Sequence, residues 1–187
     1  MGMRDLARTW TREDVLALPD DGNRYELVDG ELLVSPSPRG LHQRGVLSLL
    51  RLVDPHVQTH RLGSVLFSPA DLDLKSGQLV QPDLFVGAMV AGREPVEWTE
   101  FGIPILVVEV LSPSTARYDR ITKRRRYQRS GVPAYWIVDL DARQVEVWTP
   151  GDERPTIVER ELRWDLPTAE AGLAIDLAAY FREVWAE

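Results

Sequence analysis

Residues 104–111, Pro-Ile-Leu-Val-Val-Glu-Val-Leu, constrain the fold more than any other stretch. The run is apolar on both faces, the pattern of a strand covered from above and below at the centre of a sheet. Residues 134–140, Ala-Tyr-Trp-Ile-Val-Asp-Leu, read the same way, with Val-Glu-Val-Trp at 145–148 as a hairpin partner. Such strands need layers on each side, and the helical patterns elsewhere supply them. Thr11, with Asp14 three residues on, caps a short helix through Leu18, and Val46, Leu49, Leu50 and Val53 recur at helical spacing over 41–53. Thr115 to Ser130 forms a basic helix stopped by Gly131, and an amphipathic helix closes the chain from Asp176. The fold class that follows is α/β, a mixed sheet flanked by helices.

Two hairpins complete the framework. Tyr-Glu-Leu-Val, Asp29-Gly30 and Glu-Leu-Leu-Val (25–34) carry the strongest short-range hairpin signal there is. A two-residue turn sets Val28 opposite Glu31, Leu27 opposite Leu32 and Glu26 opposite Leu33. Alternation then puts Tyr25, Leu27, Leu32 and Val34 on one face, and Glu26, Val28, Glu31 and Leu33 on the other. A second hairpin is expected at 72–80, turning on Ser76-Gly77 and running into Gln-Pro-Asp-Leu-Phe-Val (81–86), with an irregular loop over 87–104. At 187 residues and 44% hydrophobic, the chain suits one domain, 1–187, with its motifs in 11–150 and a C-terminal strand and helix in 151–187.

No cysteine is present, so disulfides, thiolate metal sites and a cysteine nucleophile are excluded. No run approaches the length of a membrane span, and Leu6 sits where a myristoylation signal needs Ser or Thr, so the expected location is the cytoplasm. The net charge of −7 discourages polyanion binding on average. Residues 117–129 run against that average, with seven basic residues against the single acid Asp119.

Glu109 is the one carboxylate in the doubly covered strand, and burying it is costly unless it is paired, hydrogen-bonded or bound to metal. It lies at the strand's open end, pairs with the following helix, or serves chemistry. Asp83 opens an apolar strand on the face of Phe85; with Glu109 on a neighbouring strand it would offer hard oxygen ligands suited to Mg²⁺ or Mn²⁺. Only Lys75 and Lys123 are lysines. Asp119, Lys123 and Tyr127 share a helix face at i, i+4 and i+8, so Lys123 either pairs with Asp119 in solvent or reaches back to the strand end. His42-Gln43 could line a cleft or cap the second helix. His56 and His60 have metal-compatible spacing without a companion acid, and Ser112 and Ser114 lack a neighbouring histidine.

Taken in order, Tyr-Glu-Leu-Val-Asp-Gly-Glu-Leu-Leu, Ser-Pro-Ser-Pro-x-x-x-His-Gln, Gln-Pro-Asp-Leu-Phe-Val, Leu-Val-Val-Glu-Val-Leu-Ser-Pro-Ser-Thr, Asp-x-x-x-Lys-x-x-x-Tyr and Gly-Val-Pro-Ala-Tyr-Trp-Ile-Val-Asp resemble the Uma-two family. That family belongs to the PD-(D/E)XK restriction-endonuclease-like superfamily. The resemblance implies a restriction-endonuclease-like fold and metal-dependent endonuclease activity on DNA, with Glu26, Asp83, Glu109 and Lys123 as catalytic residues. Asp83, Glu109 and Glu26 would hold Mg²⁺ or Mn²⁺, the metal activating a water. The superfamily's lysine belongs two residues after Glu109, where this chain has Leu111; Lys123 on the following helix is the matching residue. Arg120, Arg124, Arg125 and Arg126, with His42 and Gln43, would grip nucleic acid. A homodimer, or a higher homo-oligomer, would let two such sites cut two strands. The alternative is a catalytically inactive nucleic-acid-binding module of the same fold, or an interaction protein using the basic helix.

Overall fold

The computed structural model of the chain describes residues 9–35, 38–74, 79–97, 100–166 and 172–187. Helix α1 (Arg12–Leu16) is followed by the hairpin β1 (Arg24–Val28) and β2 (Glu31–Ser35), then by helix α2 (Gly40–Thr59). Strands β3 (Gly63–Phe67), β4 (Leu84–Ala88) and β5 (Leu106–Val110) lead to the basic helix. It comprises α3 (Ala116–Tyr118), a π-helical turn (Asp119–Lys123) and α4 (Arg124–Arg129). Strands β6 (Tyr135–Asp139), β7 (Gln144–Trp148), β8 (Thr156–Val158), β9 (Glu161–Trp164) and β10 (Leu173–Asp176) precede helix α5 (Leu177–Trp185). Among the described residues the main sheet has six strands in the order β3-β4-β5-β6-β7-β8, antiparallel except for the parallel pair β5-β6. The basic helix is the crossover joining that pair, as parallel neighbours require.

The doubly apolar runs occupy the centre of this sheet because both of its faces are covered. Val108, Val110, Trp136 and Val138 point to one face and meet Leu49, Val53, Tyr180 and Phe181 of α2 and α5. Phe85, Val107, Tyr135 and Ile137 point to the other, against Tyr127 of the basic helix and Val28 and Leu33 of the first hairpin. Asp83 and Glu109 continue this second face by strand alternation, so the fold itself aims them beneath the basic helix and the hairpin.

The local signals act as expected where a specific contact enforces them. Thr11 and Asp14 form a reciprocal capping box, and Asp176 caps α5 through the Ala179 N–H. The hairpin has the expected register, with Asp29 and Gly30 both at positive φ as a type I′ turn demands. The basic helix ends in a Schellman motif. The Val132 N–H bonds the Tyr127 carbonyl and the Gly131 N–H bonds that of Gln128, with Gly131 at φ 79°.

Four expectations need correction. Helix α2 runs past Val53 and through Pro55 to Thr59; the proline removes a ladder hydrogen bond, but Val53 and Val57 are fully buried and hold the last turns down. Strand β3 was not foreseen, because it is an edge strand with a weak apolar pattern and an exposed Phe67. The strand after Asp83 extends to Ala88 rather than stopping at 86, Gly87 leaving space for the Phe101 ring. The C-terminal portion holds three strands where one was expected. Leu72 pairs with Val80 as a second hairpin requires, while the Ser76-Gly77 turn, Lys75 and the segment holding Met1, Gly2 and Leu6 lie outside the described residues. None of the helices in the described residues is long and apolar enough to cross a membrane.

Open space surrounds the position of a Gly131 Cβ, so Gly131→Ala isolates the conformational cost of the left-handed residue. We expect it to lower stability by about 1–2 kcal/mol in urea denaturation, with Gly131→Asn costing less.

Candidate active site

Four elements converge on one buried cluster of charge. Strand β1 brings Arg24 and Glu26, which alternate onto the same face two residues apart. Asp83 stands at the entry to β4, and Glu109 lies within the neighbouring β5. The basic helix brings Asp119, Lys123 and Tyr127. Residues four apart on an α-helix overshoot one turn; the π-helical turn, marked by the Arg124 N–H bonding the Asp119 carbonyl, carries more residues per turn and offsets that drift. All three side chains therefore point at the sheet, and all three residues are buried.

Lys123 is 1% exposed and sits among three carboxylates. Its Nζ donates to Glu109 Oε1 at 3.0 Å, and lies 3.0 Å from Glu26 Oε2 and 3.4 Å from Asp119 Oδ1. The Tyr127 hydroxyl donates to the same Glu109 oxygen at 3.1 Å, and Tyr135 donates to the Asp119 carbonyl at 3.1 Å. Glu26 Oε1 accepts from the Gln81 N–H at 2.7 Å. Arg24 then links the inner acids to Asp83: Nη1 donates to Asp83 Oδ1 at 2.8 Å, and Nε stands 3.7 Å from Glu26 Oε2. Asp83 Oδ2 accepts from the Val110 N–H at 2.8 Å and faces His42 Nε2 at 3.0 Å. An ionised carboxylate can only accept, so His42 carries a proton on Nε2, while its Nδ1 is buried without a hydrogen-bond partner.

Four acids face two permanent cations here, and the titration of the cluster reflects the imbalance. Burial pushes Glu109 well above the ordinary glutamate range and raises Asp119; Lys123 opposes both shifts, while the neighbouring acids add to them. Burial alone would also raise Asp83, but the His42 hydrogen bond and the Arg24 charge outweigh it and hold Asp83 far below the aspartate range. Burial would lower Lys123, yet Glu109, Glu26 and Asp119 keep it firmly protonated.

A cleft of about 630 Å³ opens beside the cluster. Arg24, Arg39, His42, Gln43, Asp83 and Ser112 contribute to its wall; Glu26, Glu109 and Lys123 lie behind that wall. Of the six residues expected to meet nucleic acid, His42 and Gln43 are on the cleft. Arg120, Arg124, Arg125 and Arg126 are not. Arg120 bridges Asp139 and Glu146 at 3.0 and 2.6 Å, and Arg124 covers the Trp148 ring at 4.7 Å and bonds Gln128. Arg126 approaches Asp29 and the Leu74 carbonyl, whereas Arg125 is exposed. Sequence reasoning passed over Arg24, although its place two residues before Glu26 on a strand was the signal, and over Arg39, which gives no pattern at all. It placed Asp119 and Tyr127 on the right helix face without assigning them to the site. The His56 and His60 rings meet at a tilt of 49° with centroids 4.5 Å apart, and Leu111 packs into the apolar layer.

No three His, Asp or Glu side chains among the described residues stand in a metal-coordinating arrangement, because Lys123 and Arg24 lie between the acids. The donor chemistry nevertheless fits a divalent ion. Hard carboxylate oxygens are clustered in excess of cations, two of them held above their usual range by burial, and a charge of +2 would balance them.

The comparisons with known proteins agree with this architecture. No curated protein matches the chain. Among solved structures, one described as "a putative nuclease belonging to DUF820 from Anabaena variabilis" superposes with a TM-score of 0.72. It is 18% identical, over 94% of this chain and 99% of that one, a likeness of fold: a mixed sheet flanked by helices, as expected of a restriction-endonuclease-like protein. The model of the Uma2 family, described as "Putative restriction endonuclease", matches residues 12–178, and the chain therefore belongs to that family.

Proposed function

We propose that this Uma2 protein is a metal-dependent endonuclease that hydrolyses phosphodiester bonds of DNA at the Glu26, Asp83, Glu109 and Lys123 cluster. The observation that carries the reading is Lys123, buried from the crossover helix into contact with Glu109 and Glu26. A lysine paired this way on an exposed helix would be unremarkable; enclosed with an excess of carboxylates beside a polar cleft, it has the makings of a hydrolytic centre. Asp83, Glu109 and Glu26 would hold Mg²⁺ or Mn²⁺, which when bound lowers the pKa of a coordinated water and neutralises phosphate charge.

The chain's own groups account for the rest. Lys123, protonated at any working pH, orients the attacking oxygen and stabilises charge developing on the phosphate. Tyr127 and Asp119 fix the Lys123–Glu109 pair, and the Val110 N–H fixes Asp83. Arg39, His42 and Gln43 on the cleft and Arg125 on the helix contact the strand through its phosphates, which gives salt-dependent binding with little base readout. Arg120, Arg124 and Arg126 serve the fold first.

Plasmid nicking in Mg²⁺ or Mn²⁺ tests the reading. Glu109→Gln and Lys123→Arg should each lower the rate by about 10²–10³-fold while both proteins retain a cooperative melt. A wild type that binds DNA equally with and without metal, and cuts nothing, would instead identify a binding module of this fold.

Two further outcomes are expected. Metal uptake requires Glu109 as a carboxylate, and Glu109 titrates well above the usual glutamate range with Asp119 beside it shifted the same way, so rising pH removes the competing protons. Mn²⁺ affinity by calorimetry should therefore increase with pH above the ordinary carboxylate range, with protons released on binding. Neutralising Arg39 or Arg125 should reduce the slope of log affinity against log salt by about 1 each, whereas Arg120→Gln should reduce stability and leave that slope unchanged.

A further inference from the structure

Arg24 belongs to no motif that assigns it a role, yet it links the buried acids to the cleft, touching Asp83 and Glu26 while lining the cleft wall. Its side chain, 19% exposed, contributes to the cleft wall. Behind that wall its guanidinium touches Asp83 at 2.8 Å and approaches Glu26 to 3.7 Å. These are two of the three carboxylates assigned above to the metal, so this inference rests on that reading. Of those acids only Asp83 reaches the cleft.

We propose that Arg24 occupies the divalent cation's place between Asp83 and Glu26, and that on metal binding its guanidinium turns into the cleft to hold a phosphate oxygen of the DNA strand. A guanidinium and a metal ion cannot share the same two carboxylates in a low-dielectric site without strong repulsion. The planar fork that fits carboxylates fits phosphates equally well, so the group displaced by the ion remains suited to the incoming substrate. Arg24 is the first residue of β1, at the mouth of the strand, and its long side chain can change partner by rotation while the backbone stays paired with β2. Residence between the acids compensates their charge before the metal arrives; release couples metal occupancy to substrate binding. Arg24 is thus both a placeholder and a phosphate ligand.

Arg39 provides the control. It lies on the same cleft, is exposed, and forms no ion pair among the described residues. The experiment compares full-length wild type with Arg24→Gln, Arg24→Lys and Arg39→Gln, each first shown to melt cooperatively. Mn²⁺ binding is measured by calorimetry, and binding of a labelled DNA oligonucleotide is measured with and without Ca²⁺, a hard divalent ion that takes oxygen ligands as Mg²⁺ does. Arg24→Gln should bind Mn²⁺ about tenfold more tightly than wild type, and Arg39→Gln should match wild type. Ca²⁺ should strengthen DNA binding by about tenfold or more in wild type and by only about threefold or less in Arg24→Gln. Arg24→Lys keeps the charge without the fork and should fall between the two; it also carries the test if the glutamine variant fails to fold. Three results would overturn the proposal alone: no tighter Mn²⁺ binding in Arg24→Gln, an equal shift in Arg39→Gln, or the same Ca²⁺ enhancement in wild type and Arg24→Gln. A wild type that takes up no Mn²⁺ would overturn the metal reading itself, and this inference with it.

Discussion

Everything at the centre of this protein depends on placing a lysine ammonium out of water among carboxylates. Lys123 loses its hydration entirely, and three acids within 3.4 Å are what make that tolerable. Removing one partner from such a set leaves an uncompensated buried charge, a loss of about 3–5 kcal/mol where it has been measured. The cluster is therefore a structural commitment before it is a chemical one. The strand that carries Glu109, the hairpin that carries Glu26 and the helix that carries Lys123 are each held in position by the others' charge.

The surroundings make that commitment workable. Tyr127 and Tyr135 place hydroxyls on Glu109 and on the Asp119 carbonyl, so these two acceptors are satisfied within an apolar layer. The Schellman motif at Gly131 fixes where the helix ends, and with it the depth at which Tyr127 and Lys123 enter. The π-helical turn corrects the azimuth. Helix termination and helix winding thus act on one target, the alignment of Asp119, Lys123 and Tyr127 over β5.

Much of this could be read from the chain alone. A doubly apolar strand interrupted by one acid announced both the central sheet and the acid's importance, since charge is not left in such a place without a partner. The i, i+4, i+8 spacing of Asp119, Lys123 and Tyr127 put them on one face, although which way that face turned depended on packing that no local pattern encodes. The intramolecular partners of the arginines of 117–129 were hidden for the same reason. A basic run looks like a surface for phosphates, but Arg120, Arg124 and Arg126 have partners on β6, β7 and the first hairpin that are distant in sequence. Strand β3 and the continuation of α2 through Pro55 were illegible because tertiary burial overrides weak or contrary local preference.

The hairpin β1-β2 forms a two-stranded sheet of its own, separate from the six-stranded sheet and tied to the chain ahead of β4 by a bridge between Leu27 and Leu79. It nevertheless supplies Glu26 and Arg24 to a cluster whose remaining members come from the central sheet and its crossover. The cluster is consequently complete only where the hairpin, the central sheet and the crossover helix are docked together. The hairpin brings Glu26 together with Arg24, and the helix brings Asp119 together with Lys123, so each piece carries an acid beside a cation and only their docking sets four acids against two cations.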